Sequence, residues 1–325
     1  MNDRVVCLRP KADFTRVGIE PPAAVAVAYM APDDASLPAK LRDAEALVIP
    51  AVGPKLPGAL FAGTALRLVQ VTGAGLDRLD RGALEAAGIP VANVPGGSNA
   101  ALAEYTVTCA STLLRRFAWS SAEIRRGNYS SFRARLLADN VGGLEGLLVG
   151  IVGLGTIGMA VAEAFRKAGA RIAYFDPAPR DPDGAARLEA RSMTLDALLP
   201  ECDVVSLHVP LIDATRNLIG ASELRSMKRD AVLINAARGG IVDEAALAAA
   251  LKEATIAGAA VDVYSEEPPP SDNPLIALQG EAADRLVLTP HIAGVTRQSA
   301  ASLFRSAWAN VERVLGGNPP ENRVY

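Results

Sequence analysis

The segment Gly153-Leu154-Gly155-Thr156-Ile157-Gly158 constrains this chain more than any other. An unbroken apolar run, 147–152, precedes it, an apolar-periodic stretch, 159–168, follows, and Asp176 closes the next apolar run, 171–175. That order predicts strand, tight turn, helix and parallel strand. In such a unit Gly153 permits the turn, Gly155 lets backbone approach a ligand, and Gly158 lets helix and strand pack closely. The helix start, at Thr156 and Ile157, offers N–H donors and a partial positive charge to phosphates. Asp176 can accept from both hydroxyls of an adenosine ribose, and its charge repels a 2′-phosphate. The segment therefore predicts a dinucleotide site, with NAD(H) preferred over NADP(H). Arg180, just beyond Asp176, is read as a solvated loop residue.

The chain has 325 residues, and at roughly 150 residues per domain this predicts two domains. Half of the residues are hydrophobic, which excludes a disordered chain. The balance of 33 basic and 36 acidic side chains excludes a generic nucleic-acid binder. Cys7, Cys109 and Cys202 are too scattered for a disulfide framework or a metal site. No metal is expected, and the setting is expected to be reducing and cytoplasmic. No apolar run reaches the ~18 residues of a membrane span. The opening M-N-D-R-V-V-C-L enters a strand at once, leaving no room for a signal peptide. Only His208 and His291 could supply an imidazole.

Along the chain, strands are expected at 5–8, 24–29, 46–50, 66–71 and 90–93, with a helix at 79–87 that stops at Gly88. A Pro-Gly-Gly break precedes Asn99, expected as an N-cap. Residues 100–117 lack Gly and Pro and predict one long helix, whereas 128–145 predict an irregular loop. A second series comes next, with strands at 147–152, 171–175, 204–207, 231–235, 258–263 and 286–289 and helices at 159–168 and 244–253. A closing helix is expected over 297–315. Val- and Ile-rich strands alternating with helices predict an α/β fold of parallel sheets covered on both faces. The first series lacks a covering element of its own. Residues 1–98 and 292–325 are therefore expected to build one domain, with 99–291 inserted as the other.

Three segments lie at strand ends in the second series: 235–240, 262–268 and 289–291. In open α/β sheets, ligands bind beyond the carboxyl ends of the strands, so Arg238, Glu267 and His291 are expected to converge. Glu266, one position off, is the weaker carboxylate candidate. His208, inside V-V-S-L-H-V-P, is read as structural or cofactor-lining.

Those residues sit in stretches that resemble the D-isomer-specific 2-hydroxyacid dehydrogenases. They are V-A-N-V-P-G with A-E-Y-T (91–106), V-G-I-V-G-L-G-T-I-G (149–158) and H-V-P-L with T-R-N-L-I-G (208–220). N-A-A-R-G-G-I-V-D-E (235–244), A-A-V-D-V-Y-S-E-E-P (259–268) and T-P-H-I-A-G (289–294) complete the set. The likeness covers essentially the whole chain. It implies two doubly wound parallel-sheet lobes, a Rossmann NAD-binding domain inserted in a flavodoxin-like substrate domain. It also implies hydride transfer between a nicotinamide and C2 of a small 2-oxoacid or D-2-hydroxyacid, such as glyoxylate or hydroxypyruvate.

The resemblance makes His291 the general acid and base, a task suited to an imidazole near neutral pH. Glu267 becomes its partner, since a neighbouring carboxylate favours the charged ring and fixes its orientation. Arg238 becomes the planar two-pronged anchor for the substrate carboxylate. Backbone at Gly73, Ala74 and Gly75 is implied as a second carboxylate clamp, and Asp262 as an acceptor for the nicotinamide carboxamide. His208, Val209, Pro210, Thr215, Ala236 and Ala237, with Arg238 and His291, are implied to line the cofactor pocket. The family pattern also implies a homodimer through helix 100–117. Segment 129–140 is expected to border the pocket or reach a partner subunit, with Arg133 and Arg135 solvated. A cofactor-sensing corepressor of the same fold is the alternative from another class. Formate dehydrogenase is disfavoured, because Glu267 stands where that branch carries Gln. The chain ends just after its last helix, so no regulatory domain is expected there.

Overall fold

The computed structural model describes residues 4–178 and 181–325. The chain forms two compact units, Met1–Ser98 with Val295–Tyr325, and Asn99–Gly294.

The first unit is built on five strands: β1 (Val5–Cys7), β2 (Val27–Tyr29), β3 (Ala46–Ile49), β4 (Leu68–Val71) and β5 (Val91–Ala92). They pair in parallel in the order β2-β1-β3-β4-β5, the flavodoxin-like arrangement. Strands β1, β3 and β4 are buried at every position, as expected where helices cover both faces. One face packs Leu37, Leu41, Phe61 and Leu84. The other packs Phe14 against Phe304 and Trp308, with ring centroids at 4.6 and 5.4 Å.

The last two aromatics belong to the helix Arg297–Leu315, which buries Phe304, Ala307, Trp308, Val311 and Val314. That spacing is one helical stripe. Thr296 Oγ1 accepts from the Ser299 N–H while Ser299 Oγ accepts from the Thr296 N–H, both at 3.0 Å. This reciprocal cap fixes where the helix begins. Asn310 then donates to the buried Gln70 of β4 at 2.6 Å, tying the end of the chain to its first sheet.

The second unit carries β6 (Leu148–Val152), β7 (Arg171–Phe175), β8 (Arg191–Ser192), β9 (Val204–Leu207), β10 (Val232–Asn235), β11 (Gly258–Val261) and β12 (Leu286–Leu288). Their order is β12-β11-β10-β9-β6-β7-β8, all parallel. Counted from β6 this is the Rossmann order with one further strand, and its switch point lies between β6 and β9. Ile292 and Ala293 belong to this unit, because their N–H groups both donate to Asp262 at 2.8 Å. Among the described residues no helix is long and apolar enough to cross a membrane.

Several expectations need correction. The long helix ends at Leu114, and Arg116 turns left-handed (φ 51°) before a separate helix, Phe117–Arg125. The loop expected at 128–145 instead contains a helix, Tyr129–Ala138. Both changes centre on Trp119, which is buried against Phe132 at 5.3 Å. The guanidinium groups of Arg116, Arg135 and Arg285 lie over its ring at 5.4, 4.6 and 5.5 Å. Arg135 also pairs with both carboxylate oxygens of Glu281, at 2.8 and 3.0 Å, so it is not simply solvated. These partners are distant in sequence, and local pattern does not show them. Asn99 begins its helix instead of capping it from outside, a difference of the size boundary definitions allow.

Candidate active site

The glycine loop leaves β6 at the switch point. Gly153 has φ +93°, and a Cβ there would meet the His208 carbonyl oxygen at 2.7 Å. The exits of β6 and β9 thus touch at a position only glycine fills without strain. A Cβ on Gly158 would lie 2.0 Å from the Gly153 carbonyl oxygen, so the helix Thr156–Lys167 sits directly on the turn. Gly155, by contrast, would project a Cβ into open space. It N-caps that helix with no side-chain bond to the first-turn N–H groups. A bare helix start beside an open cradle fits a pyrophosphate.

Asp176 lies just past β7. Its two oxygens accept from the N–H groups of Leu154 (2.7 Å) and Ala178 (2.8 Å). The carboxylate is thereby fastened beside the glycine loop with acceptor capacity left on each oxygen. Arg180 lies outside the described residues. His208 Nε2 shares a hydrogen bond with Ser206 Oγ at 2.8 Å, and burial pushes the ring down to about 4, leaving it neutral. Thr215 Oγ1 donates to the Pro210 carbonyl at 2.6 Å and accepts from the Ile212 N–H at 2.9 Å. These bonds hold the loop that carries Val209 and Pro210.

Three further loops leave β10, β11 and β12. After β10, the buried Asn235 donates to the Arg238 carbonyl (3.1 Å) and accepts from the Ala237 N–H (3.2 Å). A turn through Ala236 and Ala237 results, with Arg238 Nη1 donating to the Ala237 carbonyl at 2.6 Å. A Cβ on Gly239 would meet the Tyr264 carbonyl oxygen at 1.8 Å. The backbone beside Arg238 is therefore pressed onto the loop that leads to Glu267.

After β12 comes Thr289-Pro290-His291, with His291 left-handed (φ 54°). His291 Nδ1 lies 2.8 Å from Glu267 Oε2, each side chain about a quarter exposed. Glu267 Oε1 accepts from the Tyr264 N–H at 3.1 Å. With Glu267 ionised, Nδ1 carries the proton in this bond, which leaves Nε2 to meet a ligand.

Asp262 has a task that sequence did not show. It is 1% exposed, and its carboxylate accepts from Thr289 Oγ1 (2.5 Å), the Ile292 N–H and the Ala293 N–H. Its carbonyl accepts from the His291 N–H at 2.8 Å. Asp262 thus grips the turn on both sides of His291. The one available signal was an acidic residue at the end of an otherwise apolar strand.

The first unit holds Gly73, Ala74 and Gly75 just past β4. The carbonyls of Gly73 and Ala74 accept from the Val94 N–H and from Asn93 Nδ2, both at 2.9 Å. All three cysteines are buried free thiols, and burial pushes Cys7 and Cys202 up to about 12, which removes them as nucleophiles.

The chain is similar to known proteins in sequence and fold. Residues 107–293 match the family model described as D-isomer specific 2-hydroxyacid dehydrogenase, NAD binding domain. A glyoxylate reductase of Aeropyrum pernix is 36% identical over 298 residues, which span 91% of this chain and 87% of the relative. An (S)-sulfolactate dehydrogenase of Chromohalobacter salexigens is 38% identical over 251 residues, spanning 77% and 78%. Among solved structures, the TT0316 protein from Thermus thermophilus superposes with a TM-score of 0.81 at 32% identity, covering 99% of this chain and 100% of that one.

Proposed function

Because this chain belongs to the D-isomer-specific 2-hydroxyacid dehydrogenase family, we propose that it interconverts a small 2-oxoacid and its D-2-hydroxyacid, with NAD(H) preferred over NADP(H). Glyoxylate and hydroxypyruvate are the first substrates to try. The observation that supports this reading best is the 2.8 Å contact between His291 and Glu267 on a loop adjoining that of Arg238.

Gly153, Gly155, Thr156, Ile157 and Gly158 would hold the pyrophosphate, and Asp176 the adenosine ribose. Bound there, the reduced nicotinamide supplies the hydride. The chain's own residues do the rest. Arg238 offers paired N–H donors to the substrate carboxylate and so sets the face of the 2-oxo group. His291 donates from Nε2 to the C2 oxygen as that oxygen gains charge. Glu267 holds the Nδ1 proton throughout, keeping the ring in one tautomer and orientation. In the reverse direction neutral Nε2 takes the proton of the hydroxyl. The charge of Asp176, fixed by two backbone amides, supports discrimination against a 2′-phosphate.

A panel of glyoxylate, hydroxypyruvate and pyruvate, each with NADH and with NADPH, tests the reading. Turnover of at least one acid with NADH is expected, with NADPH slower. An enzyme inactive on every 2-oxoacid, or indifferent to the cofactor's phosphate, refutes the respective half. The homodimer stays assigned to residues 100–117, at whose end Phe117 is more than half exposed; sedimentation as a monomer removes it.

A further inference from the structure

We infer that Tyr105 and Thr289 are positioning residues for His291 and act on it through Asp262. This deepens the reading above and rests on it. Thr289 Oγ1 has two polar neighbours: Asp262 Oδ1 at 2.5 Å and the Tyr105 hydroxyl at 2.7 Å. A threonine hydroxyl has one proton, and an ionised carboxylate can only accept. Thr289 therefore donates to Asp262, and Tyr105 must donate to Thr289. The direction of the chain is fixed: Tyr105 to Thr289 to Asp262. Burial pushes the Tyr105 phenol far above its ordinary range, so it remains a donor at any working pH, and Cys109 of the same helix lies beside it.

The chain runs from the helix Asn99–Leu114 to the turn that presents the imidazole. Four more bonds converge on that turn. Asp262 takes the N–H groups of Ile292 and Ala293 on its carboxylate and that of His291 on its carbonyl, while Tyr264 donates its hydroxyl to the Thr289 carbonyl at 3.0 Å. A non-glycine residue at φ 54° holds that conformation only where its surroundings over-determine it. The hydroxyl chain orients the Asp262 carboxylate, the carboxylate locks the turn, and the turn aims the ring. Neither hydroxyl is given a part in the proton transfer itself.

Thr289→Val and Tyr105→Phe remove one hydroxyl each at nearly constant volume, and Thr289→Ser restores the first. Three readouts separate aim from bulk stability: kcat against KM for the 2-oxoacid, NADH affinity by fluorescence, and the imidazole NMR spectrum across pH. The spectrum is simple, because the chain has two histidines and burial pushes His208 down to about 4. Thr289→Val and Tyr105→Phe are expected to lower kcat by about ten- to a hundredfold, with KM and NADH affinity changed less than about threefold. Their His291 signals should move, and Thr289→Ser should return both kcat and signals toward the parent. Unchanged kcat and spectrum in Thr289→Val overturn the inference, and so does a Thr289→Ser variant as impaired as Thr289→Val. If the parent itself reduces no 2-oxoacid, the functional reading fails separately, and the His291 spectrum still decides the positioning.

Discussion

Acidification should weaken the second unit through His208. Burial lowers this imidazole from 6.5 to about 4, so the folded chain keeps neutral a ring that the unfolded chain protonates. Between those two values the unfolded state binds more protons. Stability is therefore intact above the unfolded value and falls as the pH drops toward the folded one. For a shift of this size, linkage between about pH 7.5 and about pH 5 gives roughly 2 kcal/mol. The residue is only partly sealed from solvent, which trims the expectation to about 1–2 kcal/mol. Each unit contains one tryptophan, Trp119 in the second and Trp308 in the first. Urea unfolding monitored through Trp119 in a Trp308→Phe background therefore reports on the second unit alone. His208→Gln, which cannot titrate, should lose about 1–2 kcal/mol less than its parent over the same pH interval. Parallel losses in the two proteins would show that the ring is not kept neutral by folding.

Replacing His291 by Ala should reduce kcat by about a hundred- to ten-thousandfold while NADH affinity shifts little in a fluorescence titration; a variant keeping a tenth of the parent's kcat has another acid. Asp176→Asn keeps the shape and removes the charge, and should cut the NADH-over-NADPH ratio of kcat/KM by about tenfold or more; an unchanged ratio places the discrimination elsewhere. Gly239→Ala drives a methyl into the Tyr264 carbonyl, costing about 3 kcal/mol or more in urea melts; stability within about 0.5 kcal/mol of the parent would mean that the two loops part freely.

Much of the architecture was readable because the central strands are apolar runs with no polar face. β6, β9 and β10 announce themselves, and the glycine loop dictates a turn and a helix directly after β6. The closing helix, expected over 297–315, is found at Arg297–Leu315. The elements that escaped notice are governed by distant partners. β8 is a two-residue exposed edge strand, Arg191–Ser192, with no apolar signal. The break at Arg116 and the helix Tyr129–Ala138 depend on Trp119, Phe132 and Glu281 meeting in space. At the site, strand alternation brought His291 and Glu267 to one end of the sheet. Asp262's engagement with Thr289, Ile292 and Ala293 was illegible, because those donors come from another strand's exit.

The insertion of the second unit within the first has a consequence for biosynthesis. The stretch Asn99–Gly294 is continuous, so it can collapse while the ribosome is still adding residues. The first sheet cannot finish then, since Phe304, Trp308 and Val311, which cover Phe14 and β3, emerge last. Until translation reaches them, a nascent chain leaves one apolar face of those strands bare.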